Sequence, residues 1–154
     1  MALITVLMSF QTVPKKQPAT ATKAASPAAK KPATATPVSA NMKASIVRGQ
    51  NVYLTNCLAC HQIDGGGVPH LNAPLDGASL VVNNNKERLV RIVLKGMTES
   101  VALDGEYYSN KMQPHSELTN QQIADVLTYI RNSWSNKASA VTAAEVKMVR
   151  GRIK

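Results

Sequence analysis

The chain has 154 residues, of which 44 % are hydrophobic and only 4 % aromatic, and its formal net charge is +9. This length fits one folded domain rather than two, and so few aromatic side chains leave a core that a buried apolar cofactor would complete. Residues 1–45 hold six of the 18 basic residues and no acid. A nucleic-acid-binding fold instead carries its basic charge on a folded face interleaved with aromatics, so we exclude nucleic acid as a partner.

The first 45 residues divide into two segments. Residues 2–8 are largely apolar but too few to span a bilayer. Residues 1–10 are therefore interpreted as a signal-like segment or anchor remnant, with a disordered N-terminus as the alternative. Residues 11–45 are rich in Ala, Thr, Pro and Lys, and such a segment buries too little surface to offset its ordering entropy. We expect a disordered tether there and a folded domain over 46–154.

Two helices are predicted in the first half of the folded domain. Apolar residues at helical spacing follow Ser45, which could cap the first helix, and Gly49 lies inside it. A glycine at that position fits a close crossing by another helix. The second helix is predicted over residues 86–95, with capping-box spacing between Asn84 and Glu87 and with Gly96 as its C-terminal cap.

A hairpin and two further helices are predicted in the second half. Asp104-Gly105 is a two-residue hairpin signal, and it indicates a small β-ribbon between residues 101–103 and 106–109. Thr119 and Gln122 have capping-box spacing and begin a helix whose apolar face is expected to run to Trp134. A last short helix is predicted over residues 143–150, capped by Thr142 and Glu145.

The chemistry is concentrated in residues 57–61, which read Cys-Leu-Ala-Cys-His. This C-x-x-C-H pattern is typical of c-type haem attachment. On a helix, residues three apart lie about 60° apart around the axis and about 4.5 Å along it. Cys57 and Cys60 can therefore reach two vinyl groups on one edge of a porphyrin, and His61 can bind its iron. The sequence predicts one covalent haem.

Three other uses of the two cysteines fit the sequence less well. A disulfide across this spacing would close a very small loop and add little stability. Zinc would need Cys57, Cys60 and two of the three histidines, at spacings that match no common zinc site. A thioredoxin-like redox pair needs a βαβ context, and the predicted elements are mainly helices. Haem attachment remains the favoured interpretation.

An electron-transfer haem needs a second axial ligand. The candidates are Met97, Met112, His70 and His115. Met112 is favoured because it lies in a loop just before the strong helix at residue 120, and Pro114 stiffens that loop. Met97 follows the helix-ending glycine and is expected to pack in the core. His115 is the main rival, since it is so close to Met112.

From these residues the chain resembles the class I, mitochondrial-like cytochrome c family. Gly49, Tyr53 and Cys57 occur at steps of four, and residues 126–130 with Tyr129 are similar to the helix that crosses them. The resemblance implies a mainly α cytochrome c fold, with three to four helices around one covalent haem. Residues 73–77 loosely resemble the family's Pro-x-Leu-x-Gly region, which implies that the carbonyl of Pro74 accepts a hydrogen bond from His61. Pro69 is a weaker candidate.

Three further segments are similar to the monohaem domains that accompany periplasmic dehydrogenases. These are residues 65–69, 94–96 and 129–134. The resemblance implies a single-electron carrier with His61–Met112 ligation, not an enzyme, whose partners are redox proteins such as a dehydrogenase or oxidase. It implies a periplasmic or other extracytoplasmic location, with residues 11–45 tethering the domain near a membrane surface. The alternative function is a haem enzyme or gas sensor with an open sixth iron position.

Overall fold

The computed structural model describes residues 37–99 and 102–153, and these residues are mainly α-helical. The helices are α1 (Pro37–Asn56), α2 (Leu58–His61), α3 (Ser79–Val82), α4 (Lys86–Lys95), α5 (Asn120–Ile130) and α6 (Ala143–Arg152). Strand pairing in the described ranges is limited to three isolated antiparallel bridges. The predicted mainly α fold is therefore confirmed. Within the same ranges no helix combines the length and apolarity that crossing a membrane requires.

Helix α1 begins earlier than the sequence predicted. It starts at Pro37, a residue suited to a first helical position because its missing N–H would have no partner there. Ser45 is consequently inside the helix and not its cap, and its hydroxyl donates to Asp125 Oδ1 at 2.5 Å. The low apolar content of residues 37–45 predicts a tether there, but alanine-rich sequence extends a packed helix at little cost. Residues 1–36 lie outside the described ranges.

The other predicted helices are confirmed, with small changes at their ends. Helix α4 has the predicted bounds, but its N-cap is Asn85, whose side chain accepts from Arg88 N, and not Asn84. Helices α5 and α6 both have the predicted capping boxes, and α6 runs two residues further than expected. Helix α5 ends at Ile130, so Trp134 does not extend its apolar face.

The predicted hairpin turn is present, whereas a longer ribbon is not observed in the described residues. Leu103 and Glu106 exchange two main-chain hydrogen bonds around Asp104 and Gly105. Both turn residues have positive φ, 51° and 89°, as a type I′ turn requires. Among the described residues, Leu103 and Glu106 are the pair that bridges this turn. Residue 101, the first of the predicted ribbon, lies outside the described ranges.

The core is organised by the crossing of α1 and α5. A Cβ placed on Gly49 would lie 2.0 Å from the carbonyl oxygen of Asp125 and 2.8 Å from Tyr129 Cβ. The two helix backbones therefore touch at Gly49, which confirms the predicted crossing. Arg48 Nε also donates to Asp125 Oδ2 at 2.7 Å across the same contact. The surrounding core is formed by buried side chains from α1, α4, α5 and α6, including Tyr53, Leu89, Val90, Ile123, Val126 and Val146.

Candidate functional site

The C-x-x-C-H motif forms one helical turn at the end of α1. Cys57 N donates to Tyr53 O at 2.8 Å, and His61 N donates to Cys57 O at 2.9 Å. No disulfide joins the two cysteines; Cys57 is half-buried and Cys60 is exposed. The two thiols and the imidazole are thus carried by one short rigid segment, as the motif's spacing predicts.

The imidazole of His61 is oriented by a hydrogen bond from Nδ1 to the carbonyl oxygen of Ala73, at 2.9 Å. A proton on Nδ1 leaves Nε2 free to bind a metal. Burial lowers the pKa of His61, an effect that the Ala73 hydrogen bond opposes and the charge of His115 reinforces. The imidazole is consequently held in the neutral form that a ligand needs.

The acceptor is Ala73, so the assignment of Pro74 to this role is wrong by one residue. A residue before proline favours extended backbone, and here its carbonyl points to the histidine ring. Pro74 instead contributes to the wall of the neighbouring cavity. Pro69, the weaker candidate, is exposed.

Asn136 fixes the segment that carries this carbonyl. Its Nδ2 donates to Leu75 O at 2.9 Å, and its Oδ1 accepts from Gly77 N at 3.0 Å. Leu75 N in turn donates to Gly65 O at 2.7 Å. Asn136 is only 2 % exposed, yet sequence reasoning did not select it, because its partners are backbone groups about 60 positions earlier.

Two adjoining cavities open beside the motif. Both are lined by Cys57, His61, Ala73, Met97, Leu103, Met112 and His115. The inner cavity continues between apolar side chains of α3, α4 and α5, including Leu80, Val81, Leu89, Val93, Leu127 and Ile130. The lining of the outer cavity also includes polar residues, among them Asn56, Asn72, Asn110 and Lys111. An apolar interior with two thiols and a neutral imidazole at its entrance fits a covalently attached haem.

The loop that carries Met112 is held by main-chain hydrogen bonds. Met97 and Met112 exchange two of them, at 2.9 and 3.0 Å. Gly96 makes this approach possible, since a Cβ there would lie 2.3 Å from Met112 O. The structure therefore brings Met112, Met97 and His115 into the lining of both cavities. His70 is exposed and lies outside both linings.

The environment of the Cys57 thiol differs from that of a redox-active nucleophile. Burial, with a smaller effect from Cys60, raises the pKa of the Cys57 thiol to about 11. A thioredoxin-like nucleophile needs the opposite shift, toward a stable thiolate. In the ranges that the structure describes, no three or more His, Cys, Asp or Glu side chains cluster as a metal site.

A sequence-family model described as cytochrome c matches residues 46–134, which include the motif, the crevice loops and α5. The chain belongs to the cytochrome c family. This cytochrome c therefore carries covalently attached haem c, and its role is electron transfer and not catalysis. Cys57 and Cys60 are the two cysteines of the chain, and both lie at the crevice.

This cytochrome c is similar to the cytochrome c subunits of two dehydrogenases and to a cytochrome c-552. The cytochrome c subunit of alcohol dehydrogenase (quinone) from Gluconacetobacter polyoxogenes is 40 % identical over 127 residues, covering 74 % of this chain and 25 % of that subunit. The gluconate 2-dehydrogenase cytochrome c subunit of Pantoea cypripedii is 38 % identical, covering 66 % of this chain and 24 % of that subunit. The chain thus spans about a quarter of these subunits. Cytochrome c-552 of Thermus thermophilus is 30 % identical, covering 68 % of this chain and 85 % of that protein.

Proposed function

We propose that this cytochrome c is a single-electron carrier in which Cys57 and Cys60 hold one haem and His61 and Met112 are the axial ligands of its iron. The observation that carries the proposal is that His61 and Met112 line the same two adjoining cavities. When bound, the haem supplies a one-electron Fe(III)/Fe(II) couple. The chain anchors it, orients the imidazole through Ala73 and excludes water with apolar side chains.

A thioether at the sixth position suits this role. It is a soft, neutral ligand that favours Fe(II) and raises the reduction potential. With both axial positions filled by the protein, no substrate reaches the iron, so electrons pass through the haem edge. We place that edge in the outer cavity, whose lining includes the polar residues Asn56, Asn110 and Lys111.

Met97 is the other methionine that could bind the iron, so the proposal must distinguish Met112 from it. Residues directly opposite in an antiparallel bridge present their side chains on the same face, so both methionines point toward the crevice. The backbone around Met112 is anchored on both sides, by Asn110 N to Leu71 O at 3.0 Å and by His115 N to Val93 O at 2.8 Å. This anchoring supports Met112 as the ligand, with Met97 packing beside it.

Alanine variants of the two methionines test the ligand set. Met112→Ala should lower the reduction potential and allow the reduced protein to bind CO, while Met97→Ala should only loosen packing. Exchanged behaviour of the two variants would make Met97 the ligand. If His115→Ala alone changes the visible spectrum, the site is bis-histidine. Ready CO binding by the unmodified protein at neutral pH would instead support an open sixth position, as in a haem enzyme or gas sensor.

We further infer that the carrier works outside the cytoplasm and exchanges electrons with a dehydrogenase or an oxidase. The support is the likeness to cytochrome c subunits of alcohol and gluconate dehydrogenases. Purified protein, oxidised beforehand, should be reduced by a quinone-type alcohol dehydrogenase when alcohol is added. Omitting the alcohol is the control. Absence of reduction, or recovery of the protein only in the cytoplasmic fraction, would contradict this assignment.

The basic N-terminal segment is proposed to tether the domain near its partner. Residues 11–36, which precede α1, carry five lysines, and tethering raises the effective concentration of the domain at its target. Deleting residues 11–35 leaves α1 intact from Pro37, so the spectrum and potential should not change. The rate of electron transfer to membrane preparations should fall, most strongly at low salt. Equal rates with and without the segment across a salt series would contradict the tether.

A further inference from the structure

Arg131, the residue after α5, is fully buried, with 0 % of its surface exposed. Its guanidinium donates to the main-chain oxygens of Val81 and Asn83 through Nη1 and to Ser139 O through Nε at 2.8 Å. Its Nη2 donates to Ser139 Oγ at 3.3 Å. All these acceptors are neutral, so the hydrogen bonds satisfy the donors without neutralising the charge.

The acid that acts on Arg131 is Glu145 of α6, and it has other partners. Burial lowers the pKa of Arg131, while the charge of Glu145 raises it. The Glu145 carboxylate, however, contacts Lys86 Nζ at 3.1 Å and accepts from Thr142 in the helix cap. Within the described residues, Arg131 therefore retains a buried positive charge with no acid in hydrogen-bond contact. An arginine remains protonated even when buried.

This charge lies directly behind the wall of the inner cavity. Val81 and Asn83, which accept from the guanidinium, line that cavity, as does Ile130, the neighbour of Arg131 in the chain. Charges interact strongly across such a water-poor interior. A nearby positive charge favours Fe(II) over Fe(III), because the reduced iron carries one positive charge less.

We propose that Arg131 is a potential-setting residue, whose buried positive charge raises the reduction potential of the haem in the inner cavity. Arg131 also ties the segment between α3 and α4 to the segment after α5, so its charge and its hydrogen bonds have separate consequences. The inference rests on the proposed function only in placing the haem in this cavity. It is independent of whether Met112 or Met97 ligates the iron.

Substitutions of Arg131 in the full haem-bearing chain separate the charge from the hydrogen bonds. Arg131→Lys and Arg131→Met should both lose stability to denaturant, because both lose hydrogen bonds to buried carbonyls. Only Arg131→Met should show a clear fall in the reduction potential, measured by spectroelectrochemical titration. In Arg131→Met, the difference in unfolding free energy between the reduced and the oxidised protein should also be smaller than in the wild type. An unchanged potential in Arg131→Met would overturn the proposal.

A second pair of variants keeps Arg131 and changes its surroundings. Ser139 is exposed, so substitution there should leave the fold intact. Ser139→Asp places a carboxylate beside Nη2, and Ser139→Asn adds a side chain of similar size without charge. The potential should be lower in Ser139→Asp than in Ser139→Asn, because the added carboxylate offsets part of the positive charge of Arg131. Equal potentials in the two variants would show that the charge of Arg131 does not act on the haem.

Discussion

Nδ1 of His61 lies 2.9 Å from the carbonyl oxygen of Ala73, and the segment bearing that carbonyl is held in place by Asn136. The orientation of the imidazole thus depends on a buried amide that touches neither the histidine nor the crevice. Asn136 also donates to Ile130 O at 2.9 Å, which links the segment to the end of α5. The geometry of the site is set from both halves of the domain.

Asn136→Ala should therefore destabilise the protein by about 2–3 kcal/mol, because it leaves buried backbone groups without their partners. Denaturant unfolding of the haem protein measures the loss. The matched control is Asn132→Ala, which removes one hydrogen bond, to Thr128 O, from a half-buried side chain and should cost about 1 kcal/mol or less. Equal losses in the two variants would contradict the role given to Asn136.

Gly49→Val should destabilise the fold by roughly 1–3 kcal/mol, the usual range for overpacking. The backbone of α5 lies where the new side chain would begin, so the two helices must separate. Thermal unfolding measures the effect.

Gly151→Ala is the matched control for Gly49, because it also lies in a helix but has no atom within 4 Å of an added Cβ. Alanine is the better helix former there, so the variant should be neutral or more stable by up to about 1 kcal/mol. An unchanged melting temperature in Gly49→Val would show that Gly49 does not lie at the crossing.

Covalent attachment predicts that the haem remains with the chain after denaturation in acidified organic solvent. Mass spectrometry should give the mass of the chain plus one haem. Cys57→Ala and Cys60→Ala should each leave at most one thioether and yield poorly matured protein. Recovery of the bare chain mass, with extractable porphyrin, would refute thioether attachment.

Asp125 should make the free energy of unfolding depend on pH in the acidic range. Burial raises the pKa of its carboxyl, but hydrogen bonds from Arg48, Ser45 and Gln121 outweigh this and lower it overall. A carboxyl whose pKa is lower in the folded than in the unfolded state stabilises the fold at pH values above its unfolded pKa, which is about 3.9 for Asp. This contribution is lost as the pH falls through the pKa of the folded state. The stability difference between wild type and Asp125→Asn should therefore narrow on acidification. A difference independent of pH would contradict this assignment.

Sequence reasoning succeeded where the determinants are local. The capping boxes of α5 and α6 place Thr119 and Thr142 three residues before their partners, so a short window of sequence defines both starts. The haem motif is local in the same way, since one helical turn carries both cysteines and the histidine. Gly49 could be assigned to a helix crossing because a glycine inside a helix otherwise only destabilises that helix.

The sequence did not predict hydrogen bonds between residues far apart in the chain, or a helix end that forms by extension from a packed segment. Arg131 and Asn136 bind carbonyls about 50 to 60 positions away, and no periodicity reports such partners. The confusion of Pro74 with Ala73 arose because a carbonyl's direction depends on backbone angles that composition does not encode. The early start of α1 at Pro37 was missed because the packed part of the helix stabilises residues that bury little themselves.

The walls of the inner cavity come from both ends of the folded domain: Cys57 and His61 near its beginning, and Val126, Leu127 and Ile130 in α5 near its end. During biosynthesis, a growing chain presents both thiols well before α5 has been made. The pocket that shields the cofactor does not exist at that stage. The segment that carries the thiols and the segment that closes the pocket are therefore separate in the chain, and a chain truncated before α5 would retain Cys57, Cys60 and His61 without the apolar wall.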